Sequence, residues 1–299
     1  MSHLEKFLNW LHTEGKDEKT IQAYKTTVSQ FLEWYSGTMG HQHLTEVKPI
    51  DVKEYINHMK HVLNRKQATI NKSTASLKTF FAFLADNGTI TDNPMTRIKL
   101  QRIPTVQTDS STKWLTRTEQ ERFISYVELE KNEFKRLRNL TIIDLMLYAG
   151  LRVAEVEELK LDDIKVNGNV EITIREGKKD KYAIVTLHNK HSKNVRNWLK
   201  YRETLTNPIH TDSPFVFVSE RSEKLGSRGI QVMLDKYAKL ANMENITPHR
   251  FRHSFCKNLA NAGTPIEVIR RLARHESIQT TAIYVDPSYK EQLDALERI

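Results

Sequence analysis

Residues 247–253 read TPHRFRH, which sets His249, Arg250, Arg252 and His253 inside five positions. Cations crowded in this way repel one another unless they share something negative. Thr247 and Pro248 suit the N-cap and first position of a helix, so His249 and Arg252 fall in its first turn on one face. The positive end of a helix favours a bound anion, and a guanidinium fork matches phosphate oxygens in pairs. His249 can take or give a proton near neutral pH. A metal reading uses some of the same residues, because His249, His253 and Cys256 stand at i, i+4 and i+7 and can reach one helix face. Arg250 and Arg252 would crowd a dication, however, and one cysteine lacks the paired spacing of structural zinc sites. No metal is expected. Arg250 is expected to face DNA or solvent, and His253 to support the site from behind.

Three further places carry chemistry in combination. Arg152 follows a Gly150 turn in YAGLRVAEVEEL, with Glu155 three positions later on the same face. Arg152 can present its fork to a phosphate, and Glu155 can orient a neighbouring side chain or act as a solvated partner. The segment EGKKDK offers Lys178, Lys179 and Lys181 in a turn. A lysine held there can protonate a leaving oxygen; exposed turn lysines also serve only solubility. His275 and Tyr284 lie in LARHESIQTTAIYV, within the most one-sidedly basic part of the chain. A phenol has a pKa near 10 and needs electrostatic help to attack phosphorus. Two guanidiniums beside the scissile phosphate would supply it by neutralising the charge that builds in the transition state.

The elements that must position these residues are mostly helical. Leu4, Phe7, Leu8 and Leu11 share one face of a first helix ended at Gly15, and Ile21, Tyr24, Val28, Phe31 and Leu32 repeat the pattern. DVKEYINHMKHVL and NKSTASLKTFFAFLADNG add two more, before Asn93-Pro94 breaks the chain. The polar stretch around 103–112 reads as a linker. Thr116 and Glu119 then form a capping box for a new helix. NLTIIDLMLYAG reads as a buried helix, VEITIREGKKDKYAIVTL as a hairpin, PFVFVS as a further short strand, and the chain from Ser227 as helical. The fold class expected is mainly α in two domains: an N-terminal helical bundle over 1–102 and a larger, mostly helical domain over 113–299 with a small antiparallel β-hairpin.

Lys and Arg number 46 against 37 Asp and Glu, a formal charge of +9, which points to a polyanionic partner such as nucleic acid. The single cysteine excludes an intrachain disulfide and suits a reducing compartment. The N-terminus has no signal-peptide pattern, and the most apolar stretch is short and carries Asp144. A cytoplasmic protein with no membrane contact is expected.

With these residues in place the sequence resembles the tyrosine recombinases of the phage integrase family, Xer-type enzymes in particular. The family pattern of Arg, Lys, His-x-x-Arg, His or Trp, and Tyr is matched by Arg152, Lys178, His249, Arg252, His275 and Tyr284. Glu155 matches the acidic residue that follows the first arginine, and Lys181 is the alternative to Lys178. One departure is Arg274, where the family commonly has glycine before its late histidine. The resemblance implies an N-terminal SAM-like core-binding domain and a catalytic domain that clamp double-stranded DNA. It also implies site-specific strand cleavage through a 3′-phosphotyrosine on Tyr284, with no ATP, cofactor or metal. Arg152, Arg252 and His275 would hold the phosphate, His249 would assist proton removal and Lys178 would protonate the leaving oxygen. A homo-tetramer exchanging C-terminal helices would pass strands through a Holliday junction, with a second recombinase or accessory protein as a further partner. The tail EQLDALERI would be that helix, docked in trans or packed in cis. The competing readings are a type IB topoisomerase-like enzyme that only relaxes DNA and a non-catalytic DNA-binding regulator.

Overall fold

The computed structural model describes residues 2–41, 43–101, 113–176, 181–285 and 296–297. The chain divides into two compact units, Met1–Val106 and Gln107–Ile299. In the first, four helices surround an aromatic core: α1 (His3–Thr13), α2 (Glu18–Met39), α3 (Pro49–His61) and α4 (Gln67–Asp86). Ser2 and Glu5 close a capping box on α1, Asp17 caps α2, and Gly40 ends α2 in the left-handed region, so the start and stop signals are local. Phe7, Phe31, Tyr35, Tyr55, Phe80 and Phe81 are buried between the helices. After α4, the Asn93 side chain accepts from the Met95 N–H at 2.9 Å, and Met95 and Ile98 return to the core.

The second unit is built around α6 (Glu133–Tyr148), whose residues from Arg138 to Leu147 are all buried. It packs against α5 (Arg117–Glu128), α7 (Val153–Glu158), α8 (Lys193–Glu203) and α11 (Pro248–Asn261). A helix so surrounded tolerates apolar residues on every side. Its one buried carboxyl, Asp144, accepts from Asn194 Nδ2 at 2.8 Å, and burial pushes its pKa up to about 7. Short α9 (Pro208–Thr211) and α10 (Ser227–Leu240) lead to α11, and α12 (Ile266–Ala273) and α13 (Ile278–Val285) finish the described helices. Thr116 and Glu119 form the capping box on α5, and Thr247 and Pro248 open α11. Among the described residues no helix is long and apolar enough to cross a membrane.

The expected hairpin is extended by a third strand. β1 (Ile164–Asn167), β2 (Asn169–Glu176) and β3 (Lys181–Leu187) form one antiparallel sheet in that order. Ile172 stands opposite Ile164 on one side and Val185 on the other. Val170, Ile172, Ile174, Val185 and Leu187 face the core, whereas Ile184 points outward and is 72% exposed, because alternate residues take opposite faces. PFVFVS differs from expectation: it makes only one bridge, Lys160 to Phe215. Its apolar residues Val216, Phe217 and Val218 are nevertheless buried. The Val216 N–H reaches Leu159 O at 2.9 Å, and Phe217 O receives the Leu225 N–H at 2.8 Å, so the segment is satisfied without a ladder. Lys178 and Lys179 of the turn, the linker 103–112 and the tail from 286 to 295 lie outside the described residues.

The aromatic core makes a direct prediction. Phe31 is fully buried and its ring meets Tyr55 at 5.2 Å and Phe81 at 5.6 Å between centroids. Phe31→Ala should destabilise the first unit by about 3–5 kcal/mol, seen as lost amide protection in α2 and α4 by native-state hydrogen exchange. Unchanged protection there would contradict this packing.

Candidate active site

The α6–α7 turn sets the first arginine. Gly150 has φ 63°, and a Cβ at this position would lie 2.5 Å from Phe255 Cδ1, so both conformation and space demand glycine. Arg152 is the N-cap of α7. Its backbone N–H donates to Glu155 Oε2 and its Nη1 to Glu155 Oε1, both at 2.7 Å. Its Nη2 donates to the carbonyl of Arg274 at 3.0 Å. Glu155 also receives Arg274 Nη2 at 2.5 Å, so one carboxylate holds two guanidiniums.

The second arginine is buried. Arg252 leaves α11 toward two carbonyls, Gly150 O and Ala273 O, and donates to both. Burial, followed by the nearby Arg152 and Arg274, lowers its pKa to about 10; it stays charged at neutral pH. These two carbonyls lie at the C-terminal ends of α6 and α12, where helix dipoles are negative. His275 follows immediately, its Nδ1 at 2.9 Å from Thr281 Oγ1. Burial and the surrounding Arg252, Arg152, His253 and Arg274 depress its pKa to about 4, so the imidazole is neutral at pH 7.

Tyr284 sits on α13, 1% exposed. Its ring lies 6.2 Å from His275, nearly parallel at 19°, and 6.2 Å from Trp114. Its hydroxyl contacts His253 Nδ1, and Lys257 Nζ donates to its carbonyl at 3.2 Å. Burial, with Cys256 beside it, raises the phenol pKa while Arg252 opposes the rise. Cys256 is itself buried, its thiol pushed up to about 11 mainly by burial.

Arg152, Glu155, Arg252, His275 and Tyr284 therefore converge. His249 stands at the exposed start of α11, with its ring 6.5 Å from that of His253. Two expectations for this helix are corrected. Arg250 does not face outward: its side chain is 12% exposed and donates to Glu244 O and Trp114 O, each at 3.0 Å. His253 does not merely back the site, since it touches the Tyr284 hydroxyl. Its position one turn after His249 was the only signal available. Among the described residues no three His, Cys, Asp or Glu side chains gather in a metal-holding cluster, and His253 Nδ1 is already engaged by Tyr284.

Two predictions follow from this geometry. Gly150→Ala places a side chain at positive φ against Phe255, and should destabilise the second unit by about 2 kcal/mol or more; thermal unfolding near the parent value would refute the contact. The second concerns pH. Between 6.5 and about 4 the unfolded His275 binds a proton that the folded imidazole refuses, so its contribution to stability declines as pH falls through that window. His253 shifts in the same direction. Asp144 has the opposite sign, because the folded carboxyl retains its proton up to about pH 7. His275→Gln should lose less stability than the parent between about pH 6.5 and 5, measured by urea unfolding; equal losses would remove His275 from the account.

Known proteins resemble this chain in sequence and in fold. Residues 113–291 match the model of the Phage integrase family, and residues 3–88 that of the Phage integrase, N-terminal SAM-like domain. The chain is 29% identical over 297 residues to the TnP I resolvase of Bacillus thuringiensis, covering 99% of each. It is 29% identical over 298 residues to the tyrosine recombinase XerA of Pyrococcus furiosus, covering 99% of this chain and 93% of that protein. In fold it resembles the Tn1549 transposon integrase solved in complex with a circular intermediate DNA, with a TM-score of 0.75, 21% identity, and coverage of 100% and 99%. Because the first family model spans well over half of its length, the chain belongs to the phage integrase family.

Proposed function

We propose that this chain is a tyrosine-type site-specific recombinase that cuts and rejoins DNA through Tyr284. The observation that carries the reading is the convergence of a phenol with two guanidiniums and a neutral imidazole, in a chain of this family. The Tyr284 oxygen attacks a backbone phosphorus, the 5′-oxygen leaves, and a 3′-phosphotyrosine remains. Arg152 and Arg252 neutralise the non-bridging oxygens, and His275 donates to one of them. The attacking phenol must lose its proton, and the group in contact with that hydroxyl is His253, with His249 exposed one helical turn earlier. His253 is held neutral by burial and by His249 and Arg252, the state that can accept a proton. Lys178 protonates the leaving oxygen. The bond energy is kept in the ester, so the 5′-hydroxyl of the same or another strand can reverse the step without ATP.

Residues 1–102 serve as the core-binding domain and 113–299 as the catalytic domain. In the first unit a cavity of about 300 Å³ is lined by Lys53, Asn57, Gln67, Asn71, Arg97 and Lys99, side chains suited to phosphates and base edges. Two relatives named a resolvase and a tyrosine recombinase, and an integrase solved on DNA, support double-stranded DNA as the partner. The tetramer, its Holliday junction and exchange of C-terminal helices belong to the same proposal.

The reading is tested with a nicked duplex carrying the sequence that the chain protects in a footprint of DNA flanking its own coding region. The parent should form a covalent adduct and Tyr284→Phe none, with His253→Ala slowed about a hundredfold. No adduct from the parent would leave a binding-only regulator, and an adduct persisting in Tyr284→Phe would assign the chemistry to another residue.

A further inference from the structure

Residue 274 closes α12 with φ 53° and ψ 47°, a left-handed conformation that suits glycine and strains other residues. The Arg274 side chain nevertheless turns inward, 9% exposed, and donates from Nη2 to Glu155 Oε2 at 2.5 Å. The same carboxylate receives the backbone N–H and Nη1 of Arg152. The carbonyl of Arg274 accepts Nη2 of Arg152 at 3.0 Å. Residue 274 thus meets Arg152 directly through its main chain and indirectly through Glu155.

A carboxylate that orients a phosphate-binding guanidinium creates an electrostatic difficulty. Arginine and glutamate alone form a neutral pair, whose pull on an anion is much weaker than that of a free cation. A second guanidinium on the same carboxylate leaves the group with a net positive charge. Since Arg274 is largely shielded from solvent, its charge is little screened by salt. Its field is felt nearby, where Arg274 is among the cations that lower the pKa of both Arg252 and His275.

We propose that Arg274 is a positioning residue of the phosphate site: its side chain balances Glu155, so that Arg152 is held in place while its charge stays available to the anion. This rests on the recombinase reading only for the anion's identity as a DNA phosphate. The test compares Arg274→Gly and Arg274→Lys with the parent, using the full chain and the footprinted nicked duplex. Arg274→Gly should unfold at or above the parent temperature, because glycine relieves the left-handed backbone. It should bind the duplex within about twofold and form the adduct about tenfold more slowly, with Arg274→Lys regaining most of the rate. An adduct rate within about twofold of the parent, or a loss that lysine does not recover, overturns the proposal. If the parent forms no adduct, the recombinase reading fails separately. The His275 imidazole then decides this inference by NMR titration, an upward pKa shift in Arg274→Gly supporting it and no shift overturning it.

Discussion

Arg252 is buried yet charged, and that combination organises the catalytic unit. A guanidinium taken from water must find hydrogen-bond acceptors or lose several kcal/mol. Arg252 finds them in Gly150 O and Ala273 O, at the C-terminal ends of two helices far apart in sequence. One cation therefore pins α11 to the end of α6 and the end of α12. Arg152 stands two residues after the first acceptor, and His275 two residues after the second. The spacing of the site is thus set by the acceptors of one side chain more than by any loop of its own. Gly150 is indispensable to this arrangement because its left-handed backbone leaves no room for a Cβ beside the Phe255 ring.

The price of that arrangement is like charge held close together. Arg152 and Arg274 share one carboxylate, Glu155, Arg252 lies close by on two carbonyls, and burial, helped by neighbouring cations, lowers the pKa of His275 and His253. Like charges gathered so closely are electrostatically frustrated, a departure from local consistency that natural proteins keep at functional positions. A phosphate would relieve it. The Tyr284 phenol sits in the same field but in apolar surroundings, with Trp114, Cys256 and Phe255 around it, and burial keeps it protonated. On the proposed reading, binding an anion and activating the phenol are therefore separate tasks, one done by charge and one by removal of the phenol's proton.

Much of this was legible in the sequence because it is local. The Thr116–Glu119 box, the Thr247–Pro248 start and the Gly150 turn are written within a few residues, and the helix periods follow from apolar spacing. What escaped was pairing across long separations. Arg250 is adjacent to basic residues and reads as surface, but Trp114 O waits for it 136 positions away. His253 meets Tyr284 across 31 positions, a contact that no spacing rule contains. β1 is short, with only Ile164 contributing to the core, so it carries too little alternation to be recognised. PFVFVS has the composition of a strand and is buried like one, but its neighbours supply single hydrogen bonds in place of a ladder. Arg274 was visible as an oddity, whereas its bond to Glu155 depended on a left-handed turn that composition does not encode.

The sole thiol of the chain belongs to the pocket that encloses Tyr284. Cys256 is fully buried and its pKa is raised to about 11, so in the closed pocket it is both unreachable and un-ionised, the two conditions that make a cysteine inert. On the proposed reading, a Tyr284 phenol that moved out to a phosphate would leave the side of Cys256 that it covers. Reaction of the chain with a thiol reagent would then report the release of Tyr284 from that pocket. Cys256, as the single cysteine of this sequence, would serve as a built-in reporter of that exposure.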